Sequence, residues 1–355
     1  MTLQLDNKGA AKNTADKTVS EQMSPYEESV TFFDNKVTTV KTEGVDVSEK
    51  LYVDGLESII NTFGTRRIAT PCASVDGQEG FADTMRRILA TIVQLAKDAV
   101  NFIINLVNNK LTRLENRLHR MRVERKRSGL KTGEVAYPVA VRRLIVPNRV
   151  STNPGWIAEA IDDVSKFYSN AISVTNGLGP LIRTSPDSFD TAKANDAVNS
   201  ITSMNLNLAN EGKDTSGVTT YKSATLPSNR CFIYLGRTGS ESETAPMFFQ
   251  ETNADGRLKT PTFSPTGAVI DKTFDAVQGA LNDVRKNQRT VSDFHRAFEK
   301  SVVAFEGETR SVSTEQRHFL RYLINHTRRL SQVSIQYLIA SCDVALDFCS
   351  ASINK

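Results

Sequence analysis

From residue 81 to residue 128 the chain contains neither Pro nor Gly, and its apolar residues recur in steps of three and four. Met85, Ile88, Ile92, Leu95/Ala96, Ala99, Ile103 and Leu106 form one run, and the seam resumes at Val107, Leu111, Leu114, Leu118 and Met121. This period predicts an amphipathic helix, about 70 Å long if unbroken. The second half is a strict 4-3-4 heptad seam, suited to pairing with another helix, in a homo-oligomer or with a different partner. A chain organised around such a rod is expected to be mainly α.

The rest of the pattern agrees. Residues 1–79 are an acidic, largely disordered segment that carries one short helix over 51–64 (Leu56, Ile59, Ile60, Phe63). Its first 50 residues have too few clustered apolar side chains to offset ordering. Residues 80–128 are the long basic amphipathic helix. Residues 129–215 read as a helical segment with loops, in which Val135–Val146 is a short extended piece. Asn153-Pro154 opens a helix burying Trp156, Ile157, Ala160, Ile161, Val164, Phe167/Tyr168, Ala171 and Ile172, with Pro154 suited to a first turn. A further helix over 187–209 uses Phe189, Ala192, Ala197, Ile201, Met204 and Leu208. Residues 216–265 hold β-prone runs separated by Gly, Pro and Ser, a hairpin or three-stranded antiparallel insertion. Residues 266–355 return to helix, with Ser313-Thr-Glu-Gln316 as a capping box. The expected fold is an elongated helical bundle with a small antiparallel β insertion.

No arrangement of residues suggests catalysis or a cofactor. His119, His295, His318 and His326 form no metal-binding grouping, and His318 and His326, eight apart on one helix, are expected to be exposed and neutral. Gly177-Leu-Gly179-Pro180 lacks the following Lys-Ser/Thr of a phosphate loop. Glu159, Asp162 and Asp163 beside Lys166 read as a solvated helix face. The four Cys have no CxxC spacing, and Cys342 and Cys349 stand about 10 Å apart along a helix, too far to bridge. That usage fits a reducing compartment. The N-terminus lacks a secretory pattern. Ile88–Val107, the one span-length candidate, carries Lys97 and Asp98 at mid-depth, so no membrane span is expected.

Charge is the stronger signal. Residues 1–79 hold 8 Lys/Arg against 13 Asp/Glu, and residues 80–355 hold 36 against 27. The basic residues concentrate at the end of the long helix: Arg113, Arg117, Arg120, Arg122, Arg125, Lys126 and Arg127, opposed by Glu115 and Glu124. Arginines so placed can pair phosphates without reading sequence. They also suit the carbonyl end of a helix, where cations favour the dipole. No helix-turn-helix, zinc-finger or RNA-binding signature accompanies them.

At the junction between acidic segment and basic helix stands Gly77-Gln78-Glu79-Gly80, in a stretch broken by Pro71, Gly77 and Gly80. This tripeptide and the helix after it resemble virion-internal proteins of giant tailed phages of the phiKZ-like kind. In that class a prohead protease removes an N-terminal propeptide after a Ser/Ala/Gly-x-Glu tripeptide during head maturation. The resemblance implies a cut after Glu79, a mature chain starting at Gly80, and a place in the head interior after synthesis in the bacterial cytoplasm. Partners would be the prohead protease, capsid or other virion proteins, and packaged DNA bound non-specifically. Other matching tripeptides are Gly239-Ser-Glu241, Ala297-Phe-Glu299, Ala304-Phe-Glu306 and Ser313-Thr-Glu315, the last three inside predicted helices. The competing expectation is an uncleaved cytoplasmic coiled-coil adaptor whose heptad seam binds a protein partner.

Overall fold

A computed structural model describes residues 90–354, apart from 184–188, 237–245, 253–260, 308–312, positions 147, 148 and 216, and single positions between 92 and 106. Gly77–Gly80 and the short helix expected over 51–64 lie outside the described residues. The described positions from 90 to 105 are helical, a π turn follows at Val107–Leu111, and α1 runs Thr112–Ser128. The π turn sits where the apolar pattern slips by one, from Leu106 to Val107. One extra residue per turn is what a π turn accommodates, so the slip in period and the turn are one feature. Gly129, at φ 74°, stops α1, and its N–H caps the Arg125 carbonyl.

Beyond the turn, β1 (Val135–Ala136) is followed by a 3-10 helix at Val139–Leu144, where the sequence suggests a longer extended piece. Pro138 has no N–H to continue a ladder, and the three-residue step from Val141 to Leu144 buries both side chains. α2 (Trp156–Leu178) buries every apolar position expected of it, and also Val174, Thr175 and Leu178. It is the central helix, packed against three others. Among these is α3, Thr191–Leu206, started by the Asp190 carboxylate accepting from the N–H groups of Ala192 and Lys193 at 2.9 and 3.1 Å.

α3 is rotated only in part from the expected face, since Phe189, Ile201 and Leu208 pack half-buried against the core. Met204, expected inward, is 77% exposed, while Asn195, Val198, Asn199, Thr202 and Leu206 are buried. The buried polar residues meet partners from distant elements. The Tyr234 hydroxyl donates to Asn199 Oδ1 at 2.6 Å and lies 3.2 Å from the Tyr322 hydroxyl. Thr202 Oγ1 is 3.0 Å from His326 Nε2.

The insertion is a four-stranded antiparallel sheet, one strand more than expected, in the order β2 (Ala209–Lys213), β3 (Thr219–Lys222), β4 (Arg230–Gly236) and β5 (Met247–Glu251). The unexpected strand is β2. It is exposed along its whole length and broken by a register shift between Asn210 and Gly212, so it carries no apolar alternation to betray it. β4, the apolar interior strand, buries Cys231, Phe232, Ile233 and Tyr234. β6 (Thr262–Phe263) leaves this sheet and pairs with β1.

The two longest helices among the described elements close the fold: α4 (Gly267–Gly307) and α5 (Thr314–Ser352). The capping box forms at the second, where Ser313 Oγ accepts from Gln316 N–H at 3.1 Å. α5 is long and apolar enough to span a bilayer, a candidate the hydropathy pattern did not single out. Of its apolar window, 61% is buried inside the protein. α2, α4 and α5 run through two core clusters. One takes in the α1 seam, Trp156, Phe263 and Phe348. The other takes in the sheet, α3, Phe298 and Phe319. The fold is therefore mainly α with a small antiparallel sheet.

One histidine, His326, corrects the sequence reading. His318 is exposed, but His326 and His295 are each only 1% exposed, because the helices that carry them turn those faces onto the second core cluster.

Candidate polyanion-contacting surface

α1 buries Leu114, Leu118 and Met121, and the π turn before it buries Leu111, each at most 5% exposed. With the seam facing inward, each basic residue acquires a definite direction. Arg117 lies on one flank and is bound by both Asp343 and Asp347 of α5. Arg122 lies on the other flank, 2.8 Å from Asp275 of α4. Arg125 pairs with Asp271 and donates to the Gly267 carbonyl at 3.2 Å. A reciprocal pair comes from Arg285 of α4, whose Nε donates to Glu115 at 2.6 Å. Burial alone would lower the Arg117 pKa, but the carboxylates of Asp347 and Asp343 outweigh it and hold the guanidinium above its usual value.

Arg113, Arg120, Lys126 and Arg127 are exposed. Arg120 Nε reaches only the Asn116 carbonyl of its own helix, at 3.4 Å. None of the four forms an ion pair with the carboxylates among the described residues. A broad open depression of about 780 Å³ lies beside this face, with Arg120, Val123, Glu124 and Arg127 in its lining. The basic run thus divides in function. Three arginines fasten the rod to its own bundle, and four cations point away from it.

Arg117, Arg122 and Arg125 were read from sequence as phosphate contacts, and the aspartates that hold them were not singled out, yet a signal for these exists. Asp271 and Asp275, and again Asp343 and Asp347, stand four apart on helical patterns, so each pair shares one helix face. Arg117→Gln should cost about 1 kcal/mol, the upper range for a partly exposed pair. Urea unfolding of this variant and its parent at low and high salt would measure it, and the difference should shrink as salt screens the two aspartates.

Among the alternative small-x-Glu tripeptides, Ala297–Glu299 and Ala304–Glu306 lie inside α4. Ser313–Glu315 forms the exposed cap and first turn of α5, and Gly239–Glu241 lies outside the described residues. Among those residues no group of three or more His, Cys, Asp or Glu side chains is arranged to hold a metal ion. Cys231, Cys342 and Cys349 are buried free thiols. Compared with protein-family models, with curated proteins and with solved structures, the chain matches none.

Proposed function

We propose that this chain is a structural protein of a tailed-phage head interior, acting without turnover and matured by prohead-protease cleavage after Glu79. Its cationic helical body then packs against DNA or capsid, after synthesis in the host bacterial cytoplasm. The observation that supports this best is the direction of α1. Its heptad seam is buried in its own bundle while exposed arginines with no ion pair among the described residues face outward, so the body offers a partner charge and not an apolar stripe. The adaptor alternative needs that seam free for a second helix, and Leu111, Leu114, Leu118 and Met121 already fill the core.

N-terminal peptide mass spectrometry on purified particles tests the proposal. A semi-tryptic peptide starting at Gly80, without peptides from residues 1–79, is expected. Glu79→Ala should leave the chain uncut in infected cells. Normal processing of that variant would remove Gly77–Glu79 as the cleavage site, and absence of the chain from particles would remove the structural role.

A further inference from the structure

We infer that Arg113, Arg120 and Arg127 of α1 dock the protein on the phosphodiester backbone of duplex DNA. This rests on the structural reading above and narrows its partner from DNA or capsid to DNA. Successive members of the set are seven residues apart, a step that drifts only about 20° around a helix. They therefore form a nearly straight row, about 10 Å between neighbours and about 20 Å end to end. The row lies on the side of α1 away from Leu114, Leu118 and Met121, and all three arginines are exposed.

Composition of the face selects the partner. A stable protein interface needs an apolar centre, with charged residues depleted there. On α1 the one large apolar side chain exposed to this degree is Val123, at 53%. A phosphodiester backbone needs no such centre. It needs an array of donors, and each guanidinium can fork to two phosphate oxygens. The internal pairs sharpen the assignment. Arg117, Arg122 and Arg125 are neutralised by Asp343, Asp347, Asp275 and Asp271, so they add little to binding although the sequence places them in the same run. Glu124 is exposed within this face and would repel a phosphate chain.

The test is binding of the purified full chain to random-sequence linear duplex DNA across a salt series. Replacing Arg113, Arg120 and Arg127 together by Gln should weaken binding by roughly 10²-fold or more at 0.1 M salt and flatten the log–log salt slope by about 2 to 3, from the roughly 0.9 that each phosphate contact contributes. Glu124→Gln should tighten binding severalfold, an effect that a misfolded chain would not produce. An unchanged slope in the triple variant, or no gain in Glu124→Gln, overturns the assignment. Equal affinity for polyglutamate would overturn it in favour of an acidic protein partner. If the chain fails on DNA yet starts at Gly80 in particles, the DNA assignment falls and the virion reading stands. If it binds DNA through the row but is missing from particles, the reverse holds.

Discussion

Acidification from pH 7 to pH 4 should remove on the order of 5 kcal/mol of folding stability, enough to unfold a domain of ordinary stability. The source is the buried pair His295 and His326. Burial, with the nearby charge of Arg328, lowers the His295 pKa to about 4. Burial, with the charge of Arg329, lowers that of His326 to about 3. In the unfolded chain both return to about 6.5. The folded values are the depressed ones, so this stability is fully present above about pH 6.5 and is lost as pH falls towards the folded values. In that window the unfolded chain binds protons that the folded chain refuses, at about 1.4 kcal/mol per pH unit for each histidine. Protonation in place is unfavourable for a structural reason too. Both ring nitrogens of His295, and Nδ1 of His326, have no hydrogen-bond partner among the described residues. Chemical denaturation at pH 7, 6, 5 and 4.5 measures the slope. His295→Leu should roughly halve it, and adding His326→Gln, which can still reach Thr202, should nearly flatten it. A wild-type stability that is level from pH 7 to 4.5 would sink the argument.

Leu118→Ala should destabilise the protein by roughly 2–5 kcal/mol, because Leu118 is 1% exposed and its neighbours can close only part of the cavity left behind. Arg120→Ala, two residues away on the same helix, should stay within about 0.5 kcal/mol, since Arg120 is exposed. The contrast also bears on the adaptor alternative. A seam awaiting a partner would be solvent-facing in the isolated protein, and truncating it there would cost little. Equal small effects in the two variants, by urea unfolding at neutral pH, would show that α1 is not packed as described.

How far the sequence could be read depended on whether the deciding interactions were apolar and local. α2 was legible residue by residue, since its positions from Trp156 to Ile172 repeat with the helix period and all of them are buried. α3 was legible only in part. Its buried polar face is held by Asn199 accepting from Tyr234, which in turn meets Tyr322, and by Thr202 meeting His326, contacts between residues up to 124 positions apart. β2 was hidden because Ala-Asn-Glu-Gly-Lys has no alternation, and only its pairing with β3 makes it a strand. At the candidate surface the basic run was plain, but its division was not. Whether Arg117 or Arg120 is available to a partner depends on aspartates more than 200 residues away, and a window along α1 cannot see them.

The π turn at Val107–Leu111 works as a phase adjuster between two stretches of one rod. Upstream of it Lys97 meets Glu299 of α4, and downstream Arg122 meets Asp275 of the same helix. On a regular helix each added residue rotates everything before it by about 100°, so these contacts could not both keep their bearing if the turn lost a residue. The rod is therefore two keyed lengths joined at a fixed angular offset. Changes of length within Val107–Leu111 are constrained even at an exposed position, so substitution and deletion of Asn109 should have very different costs.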